Sequence, residues 1–200
     1  MMRRRFSFGS QTKPGQSSSR QSSSEQSSDV PADRSQVSPA EQRSRARQTA
    51  IGLLARREHA QAEIQRKLRE RGYDADTAHE VIDDLTRQRL LSDERFAEVF
   101  IRSRAERGQG PVRLKAELRQ LQLPAALIER HIQAAAIDWQ TQARAVRIRK
   151  FGTDAPNSLS ERAKQVRFLQ YRGFTAEQIR AALGAGDVDD LLEVVDPSDD

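Results

Sequence analysis

Apolar side chains in this 200-residue chain recur with a helical period, and the pattern they make is written three times. Ile64, Leu68 and Tyr73 are followed 50 residues later by Leu114, Leu118 and Leu123, and Leu169 and Phe174 stand a further 51 residues on. Ala78, Ile128 and Ile179 correspond in the same register, as do Ile82, Ile132 and Leu183. The breakers keep step. Gly72 and Gly173 each precede an aromatic residue, whereas Gln122 takes the glycine's place in the middle copy. A fixed period of this length marks a repeat array, in which each unit buries its apolar face partly against its neighbours. Such an array offers an extended surface rather than one deep pocket.

Within each copy the apolar spacing predicts three helices. In the first copy they fall at about 47–57, 61–71 and 75–89, with Gly72 as an αL stop after the second. Asp93-Glu94 opens the fourth, which runs through Phe96, Phe100 and Ile101 to Gly108. Pro111 and Pro124 stand in the first turns of the fifth and sixth. The seventh runs from Trp139 to Gly152. Ser158 to Glu161 and Thr175 to Gln178 read as capping boxes for the eighth and ninth. No segment reads as a strand. The fold class is therefore all-α: three tandem three-helix repeats, 46–91, 92–137 and 138–186, stacked into an elongated curved array. Helices of about 12 residues are about 18 Å long.

Composition adds two flanks. Residues 1–45 are rich in Ser, Gln and Arg, bury almost nothing apolar, and are expected to be a disordered arm. The basic Met1 to Arg5 precedes no apolar run, so it is not read as a secretory leader, and no stretch is apolar enough to span a membrane. Cysteine is absent. That removes disulfides and thiolate metal sites and fits a reducing cytosol. The arm carries 8 basic and 4 acidic residues, the core 46–186 carries 26 and 18, and the tail 187–200 carries 7 acids and no base. The third repeat is the most basic.

Little in the chain resembles catalytic chemistry. His59, His79 and His131 stand at unrelated positions of the repeats, and His79 with Asp83 makes two groups, too few for a metal. No phosphate-binding glycine loop is present, and Gly108-Gln109-Gly110-Pro111 reads as a turn between helices. Asp83-Asp84 and Asp93-Glu94 read as solvated or helix-starting acids. The reading is a non-enzyme without metal or cofactor. The basic stripes are the better candidates: Arg102, Arg104, Arg107, Arg113, Lys115 and Arg119 in the second repeat, and Arg144, Arg147, Arg149, Lys150, Lys164, Arg167 and Arg172 in the third. Clustered like charge favours a polyanionic or acidic partner. Arg147 with Phe151, and Arg172 beside Tyr171, are candidates to stack on bases.

The segment Leu90-Leu91-Ser92-Asp93-Glu94-Arg95-Phe96-Ala97, then Arg102-Ser103-Arg104, Gly108-Gln109-Gly110-Pro111 and Glu117-Leu118-Arg119-Gln120, resembles the central signature of the RecX regulatory proteins. Leu53 to Glu58 and Arg172 to Ile179 resemble the family's flanking motifs. The likeness spans roughly 46–186, and departs from the family at Gln109, where an aromatic is usual, and at Gln122, where glycine is. It implies a cytoplasmic modulator that binds the recombinase RecA and restrains its filament on single-stranded DNA. Such a modulator lowers RecA's ATP hydrolysis, strand exchange and co-protease activity; separate expectations for this chain are a monomer and direct contact with single-stranded DNA. The rival expectations are a direct DNA-binding regulator built from helix-turn-helix-like units, and a plain helical scaffold. Asp187, Asp189, Asp190, Glu193, Asp196, Asp199 and Asp200 raise one more expectation, a tail folded back on the basic third repeat, against a merely solubilising end.

Overall fold

A computed structural model describes residues 38–184; residues 1–37 of the arm and the acidic tail lie outside the described residues. The described residues form nine helices in the order α1 Pro39–Leu54, α2 Gln61–Arg69, α3 Ala75–Arg87, α4 Asp93–Glu106, α5 Pro111–Gln120, α6 Ala125–Ala134, α7 Trp139–Phe151, α8 Leu159–Tyr171 and α9 Ala176–Leu183. Within each set of three, the first and third helices pack together and the second closes the bundle. Among the described residues no strand occurs.

Three apolar clusters follow the repeat register. Ile64, Leu68, Ala78 and Ile82 lie in the first, Leu114, Leu118, Ile128 and Ile132 in the second, and Leu169, Phe174, Ile179 and Leu183 in the third. The backbone repeats too. Gly72, Gln122 and Gly173 all take a left-handed conformation, at φ 86°, 62° and 84°. Gln122 adopts the glycine's geometry and bears the steric cost of its Cβ there.

Local chemistry corrects some expected boundaries. α1 starts at Pro39, so residues 39–45, read above as arm, are helical. Ser38 Oγ accepts from Glu41 N at 3.2 Å and proline fills the first turn, which starts the helix before its apolar stripe begins. Only Ala46 and Ala50 are buried on α1, too little for periodicity to show. Pro124 stands at the N-cap of α6 rather than inside it. The capping box at Thr175 closes on both sides, whereas Glu161 reaches back to Asn157 N, leaving the Ser158 cap one-sided.

The repeats are joined by their turns. At the first junction Asp93 of α4 accepts from Gln61 N at 2.8 Å, capping α2, whose own N-cap Ala60 offers no side-chain acceptor. Glu58 pairs with Arg95 at 3.0 Å, and Ala60 packs into the second apolar cluster. The second junction runs backbone to backbone. Gly110 N donates to Arg172 O at 2.7 Å and Val112 N to Gly173 O at 3.0 Å. The carbonyls just past the end of α8 thus satisfy the unpaired amides at the start of α5. A Cβ at Gly110 would lie 2.6 Å from Phe174 N and closer still to the Gly173 carbonyl. Glycine is there for close approach, because its φ is an ordinary −89°.

Candidate interaction surface

These junctions line up side chains of all three repeats along one open groove of about 1010 Å³. Arg66 comes from α2, Phe100 and Arg104 from α4, Arg113, Glu117 and Gln120 from α5, and Tyr171 from α8. Arg104 lies over the Phe100 ring at 5.1 Å and Arg113 over the Tyr171 ring at 5.3 Å. Glu117 stands between the two cations, 2.8 Å from Arg113 Nε and 3.8 Å from Arg104 Nε, and accepts from Gln109 Nε2 at 3.3 Å. Its hydrogen bond drives the Arg113 pKa up, so that guanidinium is fixed in its charged form. Two arginines sharing one carboxylate leave a positive excess beside the half-buried Phe100 ring and the exposed Tyr171 ring. Such a surface suits carboxylate or phosphate groups and flat rings.

The groove uses only part of the basic set read from the sequence. Arg104 and Arg113 line it, and Arg107 lies in the adjoining hollow with Val99 and Ser103. Arg102 pairs with Glu98 at 3.0 Å, Lys115 with Glu129 at 2.6 Å, and Arg119 is exposed near Glu129. Arg144 donates to Ala181 O at 3.4 Å. Arg149, Lys150, Lys164 and Arg167 are exposed on α7 and α8. Arg172 donates to Arg107 O at 3.1 Å and lies over Phe168 at 5.2 Å, so its ring partner is not Tyr171.

Arg147 leaves the candidate surface altogether. It is 6 % exposed, its Nε donates to Gln165 Oε1 at 2.9 Å, and its Nη2 donates to the Asp154 carbonyl. Gln165 falls 51 residues after Leu114, itself 50 after Ile64, so the third copy has a polar residue where the others are apolar. That substitution was the available signal that a polar partner lies inside the bundle. The groove residues Arg66 and Phe100 are absent from that set, and Tyr171 enters it only as a stacking neighbour of Arg172, because spacing shows which face of a helix is polar, not which repeats converge.

Acid–base features lie at the α1–α2 turn. His59 is 3 % exposed, and its Nδ1 stands 2.9 Å from Glu63 Oε2, although the angle is too poor for a hydrogen bond. Burial pushes the Glu63 carboxyl up, but hydrogen bonds from Arg57, at 2.6 and 3.2 Å, and the neighbouring imidazole together hold it below the ordinary range. Asp93 goes the other way: burial raises it, and the bond from Gln61 N only partly opposes this. His79 and Asp83 stand 3.5 Å apart on an exposed face. Among the described residues no group of three or more metal-ligating side chains occurs, and no helix is long and apolar enough to cross a membrane.

The models of the first, second and third three-helix domains of RecX match residues 46–85, 92–132 and 137–183. The chain belongs to the RecX family. It is 51 % identical over 144 residues to a regulatory protein RecX of Halorhodospira halophila, covering 72 % of this chain and 89 % of that one. A regulatory protein RecX of Pseudomonas fluorescens is 44 % identical over 144 residues, covering 72 % and 93 %. Two solved structures share the fold: a regulatory protein RecX at TM-score 0.62 and 17 % identity, covering 72 % of each chain, and RecX from Lactobacillus salivarius at 0.59 and 19 %, covering 78 % and 97 %. The three-part match places this chain among the RecX regulatory proteins and supports the all-α tandem-repeat reading. The match starts at residue 46 and ends at 183, so the whole serine-rich arm and the whole acidic tail lie outside it.

Proposed function

We propose that this RecX family member binds RecA filaments and restrains them. It lowers their ATP hydrolysis, strand exchange and co-protease activity, acts in the cytoplasm as a monomer, and catalyses nothing itself. The carrying observation is the groove to which all three repeats contribute, with Arg104 and Arg113 stacked on Phe100 and Tyr171. An open, many-sided surface of this kind fits a macromolecule better than a small substrate. The expected result is inhibition of RecA ATP hydrolysis on single-stranded DNA at well below one chain per recombinase subunit. Unchanged hydrolysis at equal amounts would overturn the proposal. Tyr171→Ala, which removes a side chain 75 % exposed, is expected to weaken the inhibition severalfold.

A second reading, direct contact with single-stranded DNA, is favoured by the exposed cations Arg149, Lys150, Lys164 and Arg167. Titrating a labelled oligonucleotide without recombinase tests it, since phosphate contacts by several cations make affinity fall steeply with salt. No binding at low salt would exclude it, and binding indifferent to salt would remove these cations from it.

A further inference from the structure

In repeats 1 and 2 acids nearly balance bases, with nine basic and eight acidic side chains over 46–91 and eight and six over 92–137, and many of the cations are paired. Arg43 pairs with Glu80, Arg57 with Glu63, Arg95 with Glu58, Lys115 with Glu129 and Arg130 with Glu94. Repeat 3 differs. Residues 138–184 hold nine basic and four acidic side chains, and Arg149, Lys150, Lys164 and Arg167 have no ion pair or hydrogen bond with any described residue. The Arg147–Gln165 hydrogen bond and the edge-on contact of Phe151 with Phe168, at 5.3 Å, set the end of α7 against the middle of α8. The four cations stand on the exposed faces of these two helices with no described acid paired to them, and leave that part of the surface positive.

The counter-charge lies next in the chain. α9 packs against α7 and ends at Gly184, and the residues that follow include Asp187, Asp189, Asp190, Glu193, Asp196, Asp199 and Asp200 with no base. Sixteen residues reach at most about 55 Å, whereas α7 is about 20 Å long, so the tether reaches all of repeat 3. A short tether holds its ligand at an effective concentration on the order of millimolar. We propose that residues 187–200 dock on the cations of α7 and α8 as an intramolecular counter-charge and compete there with any acidic partner. The competition rests on the proposed function; the docking does not.

Lys150 and Lys164 allow a direct test, because a carbodiimide joins lysine amines to carboxylates already in contact. In the full chain at about 0.01 M salt, tail carboxylates should link to Lys150 and Lys164 roughly tenfold more often than to Lys67 or Lys115. The excess should vanish near 1 M salt, where the screening length is about 3 Å. Replacing Arg149 and Arg167 by Gln keeps both reactive amines and should cut the yield severalfold, with Trp139 fluorescence confirming the fold. An even spread over the four lysines, an unchanged yield in that variant, or links between isotopically labelled and unlabelled chains would overturn the proposal. No recombinase is present, so this failure is separable from failure of the RecA reading.

Discussion

Between repeats 1 and 2 the links are titratable side chains, Asp93 on Gln61 N and Glu58 on Arg95, while repeats 2 and 3 meet through backbone hydrogen bonds at Gly110 and Gly173. A side-chain link tolerates small shifts and depends on protonation. A backbone link between glycines tolerates neither added atoms nor altered φ. The second junction also carries Trp139, which packs against both the second and the third apolar cluster and is the chain's single tryptophan. The first junction is thus adjustable and the second is fixed, with a built-in reporter.

The largest expected effect is at the fixed junction. Gly173→Ala puts a Cβ 2.9 Å from Arg113 Cα, and nearer its Cβ and N, at a φ of +84°. Strain and overlap together should cost about 3–5 kcal/mol, read as a lower urea midpoint by Trp139 fluorescence. A loss no greater than that of a capping variant at the other junction would remove the distinction between them.

Next comes the inside of repeat 3. Arg147→Ala leaves Gln165 Oε1 and the Asp154 carbonyl without their donor, and should cost about 2–3 kcal/mol. Pairing Arg147→Met with Gln165→Leu should recover most of it, since replacing both partners by apolar groups of similar shape can be nearly neutral. Arg102→Ala, which breaks only the exposed pair with Glu98, should cost under about 0.5 kcal/mol. Equal effects for Arg147 and Arg102 in urea titration would contradict the burial.

The adjustable junction is sharpened by pH. Asp93 has a folded pKa above its ordinary 3.8, so the folded state holds its proton more tightly. Its contribution is most favourable below that value and declines as pH rises through the raised one. Glu63 has the opposite sign: its stabilisation is present above its ordinary 4.5 and lost as pH falls through its lowered value. Asp93→Asn keeps an acceptor for Gln61 N but no charge, so it should match the parent near pH 4 and gain on it as pH rises to 7, flattening the decline. Asp93→Ala, which loses the cap, should cost about 1 kcal/mol. Urea midpoints between pH 4 and 7 decide it; equal losses for Asn and Ala would mean that the charge, not the acceptor, matters.

Sequence legibility followed the physical signal. Ile64, Leu114 and Leu118 revealed the bundles because burial of a helix stripe leaves a period. α1 was read eight residues short because its buried residues are alanines, while the Ser38-Pro39 start that marks it is local capping chemistry. The 50- and 51-residue offsets located Gly173 but not the Val112 amide it caps, since contacts across 61 residues leave no periodic trace. Arg147 was misplaced for a related reason. An arginine on a helix shows its charge in the sequence, but whether a glutamine on the next helix turns it inward depends on packing.

Two uses of glycine at one register position can also be separated. Gly72, Gln122 and Gly173 share left-handed backbone, but a Cβ on Gly72 meets nothing within 4 Å, whereas one on Gly173 collides with Arg113. If conformation alone matters at the first two, Gln122→Gly should stabilise the middle repeat by at most about 1 kcal/mol, because relief of the left-handed penalty is partly offset by the greater backbone entropy of unfolded glycine. Gly72→Gln should cost about 1–2 kcal/mol by the same penalty. Both should be far milder than Gly173→Gln, where the neighbouring repeat must also move. Urea midpoints of the three single variants order them. A Gly72→Gln variant as damaged as Gly173→Gln would show that φ outweighs contact, and that the second junction owes nothing special to its glycines.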